Sequence, residues 1–142
     1  MSRVMDVVYA KQLFYVEETQ TVASAARRME ELQCGAILVL HNGSLRGVFS
    51  ERDLMRRVVL EHRDPDTTPV GDVMSINLRT IEESASLEEA MQAMTEHGCR
   101  HLPVMRQGQV ISFLSMRDLM HFELASKTEE LHHMRAYISH GA

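Results

Sequence analysis

The sequence is poor in lysine, cysteine and proline, and it has no long apolar run. Lys11 and Lys127 are its two lysines, and the formal net charge is −5 with a pI near 5.9. Such a chain lacks the broad basic footprint of a DNA or RNA binder, and aromatic residues do not interleave with its arginines. The pairs Arg27-Arg28 and Arg56-Arg57 read as solvated helix faces or dimer-surface charges. Two cysteines, Cys34 and Cys99, do not make a disulfide framework and read as small apolar side chains that follow a helix. No stretch approaches the length of a membrane span. The opening "MSRVMDVVYAKQLFYV" has no long apolar segment and no small-residue cleavage site, so the expected compartment is the cytoplasm, with no membrane partner. A Walker loop, a G-x-S-x-G elbow and a base at defined spacing from either cysteine are all missing, so no catalytic residue is expected. Eight histidines invite a metal reading, but Gly98 ends a helix between His97 and His101, which denies that pair a common face; no metal site is expected.

What the sequence does contain is itself, twice. "VFSERDLM" (Val48 to Met55) returns as "FLSMRDLM" (Phe113 to Met120), 65 positions on from Ser50 to Ser115. The same shift aligns "RRMEELQCGAILVLHNGSLRG" with "QAMTEHGCRHLPVMRQGQVIS" without a gap, and it pairs Glu17 with Glu82, Met29 with Met94, Cys34 with Cys99 and Gly43 with Gly108. Two copies are too few for a solenoid, so they pack against each other as one pseudo-symmetric domain. With 142 residues, 44% of them hydrophobic, the chain can bury a core.

Each copy reads β-α-β-β-α. In the second, "NLRTI" (Asn77 to Ile81) leans to strand, and Ser86 stands three residues before Glu89 as a helix cap. Leu87, Ala90, Met91, Met94 and His97 then recur at helical spacing, and Gly98 suits the exit. The first copy offers Thr21 as cap and Val22, Ala25, Ala26, Met29 and Leu32 as stripe. A hairpin follows, turning at Asn42-Gly43 and at Gly108, with Pro103 inside a strand where no ladder donor is required. "EHRDPDTTPVGDVMS" (Glu61 to Ser75) links the copies, and its "VGDVM" is echoed by "VMDVV" at Val4 to Val8 with an offset of 66. Leu124, Thr128, Leu131, Arg135 and Ile138 form a further helical stripe, a short amphipathic helix after the second copy.

Ser50/Asp53 and Ser115/Asp118 each sit at a strand-to-helix junction. A serine there caps the helix, and an aspartate in the first turn meets the positive end of the helix dipole. The same geometry suits a nucleotide: free N–H groups and a hydroxyl meet a phosphate, and a carboxylate accepts two ribose hydroxyls. The two readings are compatible.

Taken together, the repeats, "TPVGDVMS", "HGCRHLPVMRQGQVISFLSMRDLM" and the doubled S-x-x-D motif resemble a tandem pair of cystathionine-β-synthase (CBS) domains, a Bateman module, from about Val4 to about Ala125. The resemblance implies an α+β fold, with repeat 1 over residues 4–62, a linker over 63–69, repeat 2 over 70–125 and a helical tail over 126–142. It implies a non-enzymatic regulatory module whose clefts take AMP, ADP, ATP, NAD(H) or S-adenosylmethionine, with no other cofactor. It also implies a flat homodimer and an unknown regulated protein. Carried over by motif, Asp53 and Asp118 hold ribose, Ser50 and Ser115 approach phosphate, and Thr80, Ile81, Leu102 and Pro103 form the adenine slot. Arg52, Arg117, Arg100 and His101 answer the phosphate charge. The copies differ where Gly35-Ala36 and Leu38 face Arg100-His101 and Pro103. That asymmetry points to a stronger site centred on Asp118 and a weaker one on Asp53. A structural dimer with empty clefts and a small nucleotide-acting enzyme are the alternatives.

Overall fold

The computed structural model describes residues 2–140, with side chains through residue 135. Its elements run α1 (Val4–Val8), β1 (Tyr15–Glu17), α2 (Val22–Leu32), β2 (Ala36–His41), β3 (Ser44–Ser50) and α3 (Glu51–Asp53), which passes into a π-helix over Leu54–Val59. After a 3₁₀ turn at Val70–Asp72 come β4 (Ile81–Glu82), α4 (Leu87–His97), β5 (His101–Arg106), β6 (Gln109–Ser115) and α5 (Met116–His140). Two three-stranded sheets result, ordered β1-β2-β3 and β4-β5-β6, each with a parallel outer pair and an antiparallel hairpin. The fold is the α+β pair of repeats that the doubled sequence predicts.

The repeat symmetry extends to irregularities. Both hairpins slip register at the same place, between Val39 and Leu40 and between Val104 and Met105. Both turns carry two residues at positive φ, Asn42-Gly43 and Gln107-Gly108, the backbone that a two-residue hairpin of matching twist requires. Thr21 and Ser86 cap α2 and α4 by accepting from the N–H groups of Ser24 and Glu89, each at 3.1 Å. Gly98 ends α4 in the left-handed region, where a side chain would be strained.

Alternation along β2 and β5 divides the core. Ile37 and Val39 point to α2 and pack with Val16, Val22, Ala25, Met29 and Phe49, whereas Leu38 and Leu40 point the other way and join Val110 between the two sheets. In repeat 2, Leu102 and Val104 take the inward positions beside Leu87, Ala90 and Met94. Met91 is exposed and Ala93 is buried in its stead, a correction to the expected stripe.

The short helices exchange partners. Val4 and Val8 of α1 sit in the core of repeat 2, with the Val4 and Met5 N–H groups bonded to Ala85 O and Glu83 O, each at 2.9 Å. Val70 and Val73 sit in the core of repeat 1, with the Val70 and Gly71 N–H groups bonded to Gln20 O (2.7 Å) and Glu18 O (3.0 Å). The echo between "VMDVV" and "VGDVM" is thus structural, and each repeat is completed by a segment that precedes the other in sequence.

Three further expectations are corrected. The strand expected over Asn77–Ile81 is confined to Ile81–Glu82. In repeat 1 the parallel ladder begins at Tyr15 opposite Leu38, but the counterpart of Leu38 is Pro103, which has no N–H to donate, so the ladder starts one residue later, at Ile81 opposite Val104. The closing helix of repeat 1 is largely π: Leu60 N–H donates to Met55 O (3.0 Å) and Arg63 N–H to Val58 O (2.9 Å), five residues back. Finally, the tail is no separate short helix. α5 runs unbroken from Met116 to His140, and Leu124 and Leu131 on its stripe are exposed, as are Thr128 and Arg135. The side chain of Ile138 lies outside the described residues.

Candidate functional site

A cleft of about 560 Å³ opens between the repeats at the start of α3. Repeat 1 contributes Gly35, Ala36, Val48 and the segment from Ser50 to Asp53, followed by Arg56 and Arg57. Ser75, at the end of the stretch that links the copies, lines the cleft too, and repeat 2 contributes Asn77, Leu78, Arg79, His97 to His101 and Pro103. Five arginines (Arg52, Arg56, Arg57, Arg79 and Arg100) therefore face two carboxylates, Glu51 and Asp53, in a protein whose overall charge is negative.

Asp53 is the buried end of this cleft, 6% exposed. It forms a full capping box with Ser50. The Ser50 N–H donates to Asp53 Oδ2 at 3.0 Å, the Ser50 hydroxyl lies 3.1 Å from the same oxygen, and the Asp53 N–H donates to Ser50 Oγ at 3.2 Å. On the other oxygen, the Ser75 hydroxyl donates to Oδ1 at 2.8 Å, and Arg57 Nε stands 3.8 Å away. A carboxylate has about four lone-pair sites, so Oδ1 retains one, and a second opens if the Ser75 hydroxyl rotates away. Arg57 also donates to Met74 O at 2.7 Å, which ties the linker to the same helix.

Ser75 comes this close because Val48 and Ser75 form an isolated antiparallel bridge, with N–H···O distances of 3.0 and 2.8 Å. The bridge depends on Gly47. A Cβ there would stand 2.6 Å from Met74 Sδ and 2.7 Å from Ser75 O.

At the other end, Ser115 and Asp118 repeat the cap: Ser115 N–H donates to Asp118 Oδ2 at 2.8 Å and Asp118 N–H to Ser115 Oγ at 3.0 Å. Here the incoming segment supplies Lys11, whose ammonium donates to Asp118 Oδ2 at 2.6 Å and to the Phe113 carbonyl. Burial works to raise the Asp118 pKa, but the Lys11 ammonium and the Ser115 N–H outweigh it and hold the carboxyl below its usual range.

His101 stacks on Phe113 with ring centroids 5.0 Å apart. Burial, then Lys11, pushes its pKa below the ordinary histidine value, against an upward pull from Asp118. The cysteines are half-buried, and burial pushes both thiols up, away from the thiolate that reactivity needs.

Of the residues singled out from sequence, Ser50, Arg52, Asp53, Arg100, His101 and Pro103 meet in the cleft. Asp118, Ser115, Arg117 and Thr80 do not line it, and Arg117 and Thr80 are exposed. Leu102 is fully buried in the core of repeat 2, the partly buried Ile81 packs against the same cluster, and neither lines this cleft. Lys11, Ser75, Leu78 and Arg79 are additions that sequence reasoning missed. Ser75 to Arg79 had a signal, since they follow the echoed "VGDVM" segment at the mouth of the second repeat.

Two sheet-and-helix repeats, completed by exchanged short helices and capped by matching Ser/Asp pairs, define a tandem module of small ligand-binding type. A match to the family model for the CBS domain covers residues 4–60 and again 70–125, and the chain belongs to that family. It is 36% identical over 119 residues to the CBS domain-containing protein YhcV of Bacillus subtilis, covering 84% of each chain. It is 32% identical over 126 residues to the mitochondrial CBS domain-containing protein CBSX3 of Arabidopsis thaliana, covering 85% of this chain and 61% of that one. Among solved structures, a putative signal-transduction protein with CBS domains from Burkholderia ambifaria superposes with a TM-score of 0.82 at 35% identity, over 87% of this chain and 95% of that one. Among the described residues no helix is long and apolar enough to cross a membrane.

Proposed function

We propose that this chain is a non-enzymatic regulatory module that takes a phosphorylated adenosine ligand in the cleft at Asp53. The observation that carries the reading is the cleft's composition: five arginines converge on a helix start whose serine and aspartate are already oriented. Asp53 would accept the ribose hydroxyls once Ser75 yields. Ser50, with Arg52, Arg79 and Arg100, would meet phosphate. Pro103 and Leu78 would flank the adenine. This charge pattern favours AMP, ADP, ATP or an adenine dinucleotide over S-adenosylmethionine, whose sulfonium adds a cation. A bound ligand touches both repeats and the linker, so it biases their packing and thereby the surface offered to a partner protein.

Calorimetric titration with AMP, ATP, NAD, NADH and S-adenosylmethionine, with recovered ligand checked for chemical change, tests this. Asp53→Ala should weaken binding at least tenfold, and Asp118→Ala by less than about twofold, each loss of tenfold being about 1.4 kcal/mol. Consumption of ligand would favour a nucleotide-acting enzyme; absence of binding across the set would leave a structural dimer.

The same reading includes a homodimer. Met55 and Val59 on the closing helix of repeat 1 and their counterparts Met120 and Leu124 on α5 are all more than half exposed. Such a doubled apolar strip fits a second copy across a twofold axis. Sedimentation equilibrium should give twice the chain mass, reverting to one chain in Met55→Glu/Met120→Glu; a wild-type monomer would remove this part of the reading.

A further inference from the structure

The Asp118 end carries the same Ser/Asp cap as the Asp53 end, yet a cation of this chain already holds its carboxylate. Lys11 Nζ stands 2.6 Å from Asp118 Oδ2 and also donates to Phe113 O, with the Lys11 and Asp118 side chains 34% and 28% exposed. At the first cap the hydrogen-bonded contacts are neutral, with the one cation, Arg57 Nε, standing off at 3.8 Å: the Ser75 hydroxyl meets Asp53 at 2.8 Å, and the Ser75 N–H meets Val48 O, the counterpart of Phe113 O. Hydroxyl contacts exchange readily for ribose hydroxyls. An ammonium on a half-buried carboxylate does not, because its departure strips the carboxylate of a charge-assisted bond. Moreover, Arg100 and His101 of the opposite repeat line the Asp53 cleft, whereas the equivalent residues of repeat 1, opposite Asp118, are Gly35 and Ala36, which have no polar side chain.

We propose that Lys11 is a built-in occupant of the second adenosine site, so that each chain takes one nucleotide, at Asp53, and Asp118 accepts a nucleotide only when the Lys11 ammonium is withdrawn. The proposal rests on the adenosine-binding reading given above. It makes Lys11 the residue that sets stoichiometry, which neither S-x-x-D motif does by itself.

The experiment is calorimetric titration of the full chain with AMP, carried to millimolar concentration. Wild type and Lys11→Arg should bind one AMP per chain. Lys11→Met, which keeps much of the aliphatic stem, and Lys11→Gln should bind two, and adding Asp118→Asn to either should remove the second event. One site in both neutral variants, two sites in wild type, or a second event that survives Asp118→Asn would overturn the role of Lys11 while leaving the Asp53 reading intact. No AMP binding by wild type or by any variant would overturn both.

Discussion

The two Ser/Asp caps of this protein are built from the same residues at equivalent positions and differ in what crosses in front of them. At Asp53 the crossing strand is the linker, which comes near enough to pair its backbone with Val48. At Asp118 it is the N-terminal segment, which reaches the equivalent carbonyl, Phe113 O, with the lysine side chain Lys11 instead. One residue accounts for much of the contrast. Gly47 leaves room for Ser75, while its counterpart is Ser112, a buried side chain whose hydroxyl is without a hydrogen-bond partner among the described residues. The lesson is that a duplicated motif is not a duplicated site: a missing Cβ on the neighbouring strand leaves room for backbone to close one cap where a side chain closes the other.

The strongest way to break that contrast is Gly47→Ala. The new methyl would meet Met74 Sδ, which can move, and Ser75 O, which is backbone held by a two-bond bridge. Relieving the clash should cost about 1–3 kcal/mol, the usual scale for overpacking. It should also push the segment from Ser75 to Arg79 outward, displace Leu78 and Arg79 from the cleft wall and weaken nucleotide binding several-fold. Urea unfolding and titration on the same preparation would check both effects. Ser112→Ala is the matched control: it removes a hydroxyl already without a partner, so it should change stability by less than about 1 kcal/mol. If Gly47→Ala proved as mild as the control, close approach of the linker would not be what distinguishes the two ends.

Much of the fold was legible because the repeat was. A single shift of 65 residues aligned the capped helices, the hairpins and their glycine turns, and that shift holds down to a shared break in strand register. The site was legible residue by residue but not in its grouping. Arg100 and His101 follow α4 in the second copy, so in the sequence their asymmetry points toward Asp118. Their backbone does adjoin it, since Met116 N–H donates to Arg100 O at 2.8 Å, but both residues line the cleft of Asp53. That placement is why the site we propose is centred on Asp53 and not on Asp118. Lys11 was hidden for a different reason. It acts 107 positions away from its partner and lies where the offset between copies changes from 65 to 66, so no alignment of the repeats marks it. The π-helix had no signal at all, because π and α turns bury similar side-chain patterns and differ in which carbonyl each N–H finds.

A finer way to sharpen the comparison is through His101, which stands on the wall of the Asp53 cleft and also feels Lys11 and Asp118. Burial and Lys11 depress its pKa in the free protein, so the unfolded chain binds the proton more readily than the folded one. The stability this contributes is complete above the unfolded value of about 6.5 and is lost as pH falls through the depressed folded value. An anionic ligand in the cleft acts in the opposite sense. It favours the imidazolium, so binding takes up a proton and affinity should rise a few-fold as pH falls from about 7.5 toward 6. NAD is the suitable probe, because its pyrophosphate has no ionisation in that range to confuse the reading. Titrations in buffers of different ionisation enthalpy should show fractional proton uptake in wild type and a clear reduction in His101→Gln. Because Lys11 depresses the same imidazole, Lys11→Met should raise its pKa in the free and the liganded protein alike and so enlarge the uptake near neutral pH. Equal uptake in all three proteins would mean that the cleft at Asp53 and the cap at Asp118 do not communicate through the histidine between them.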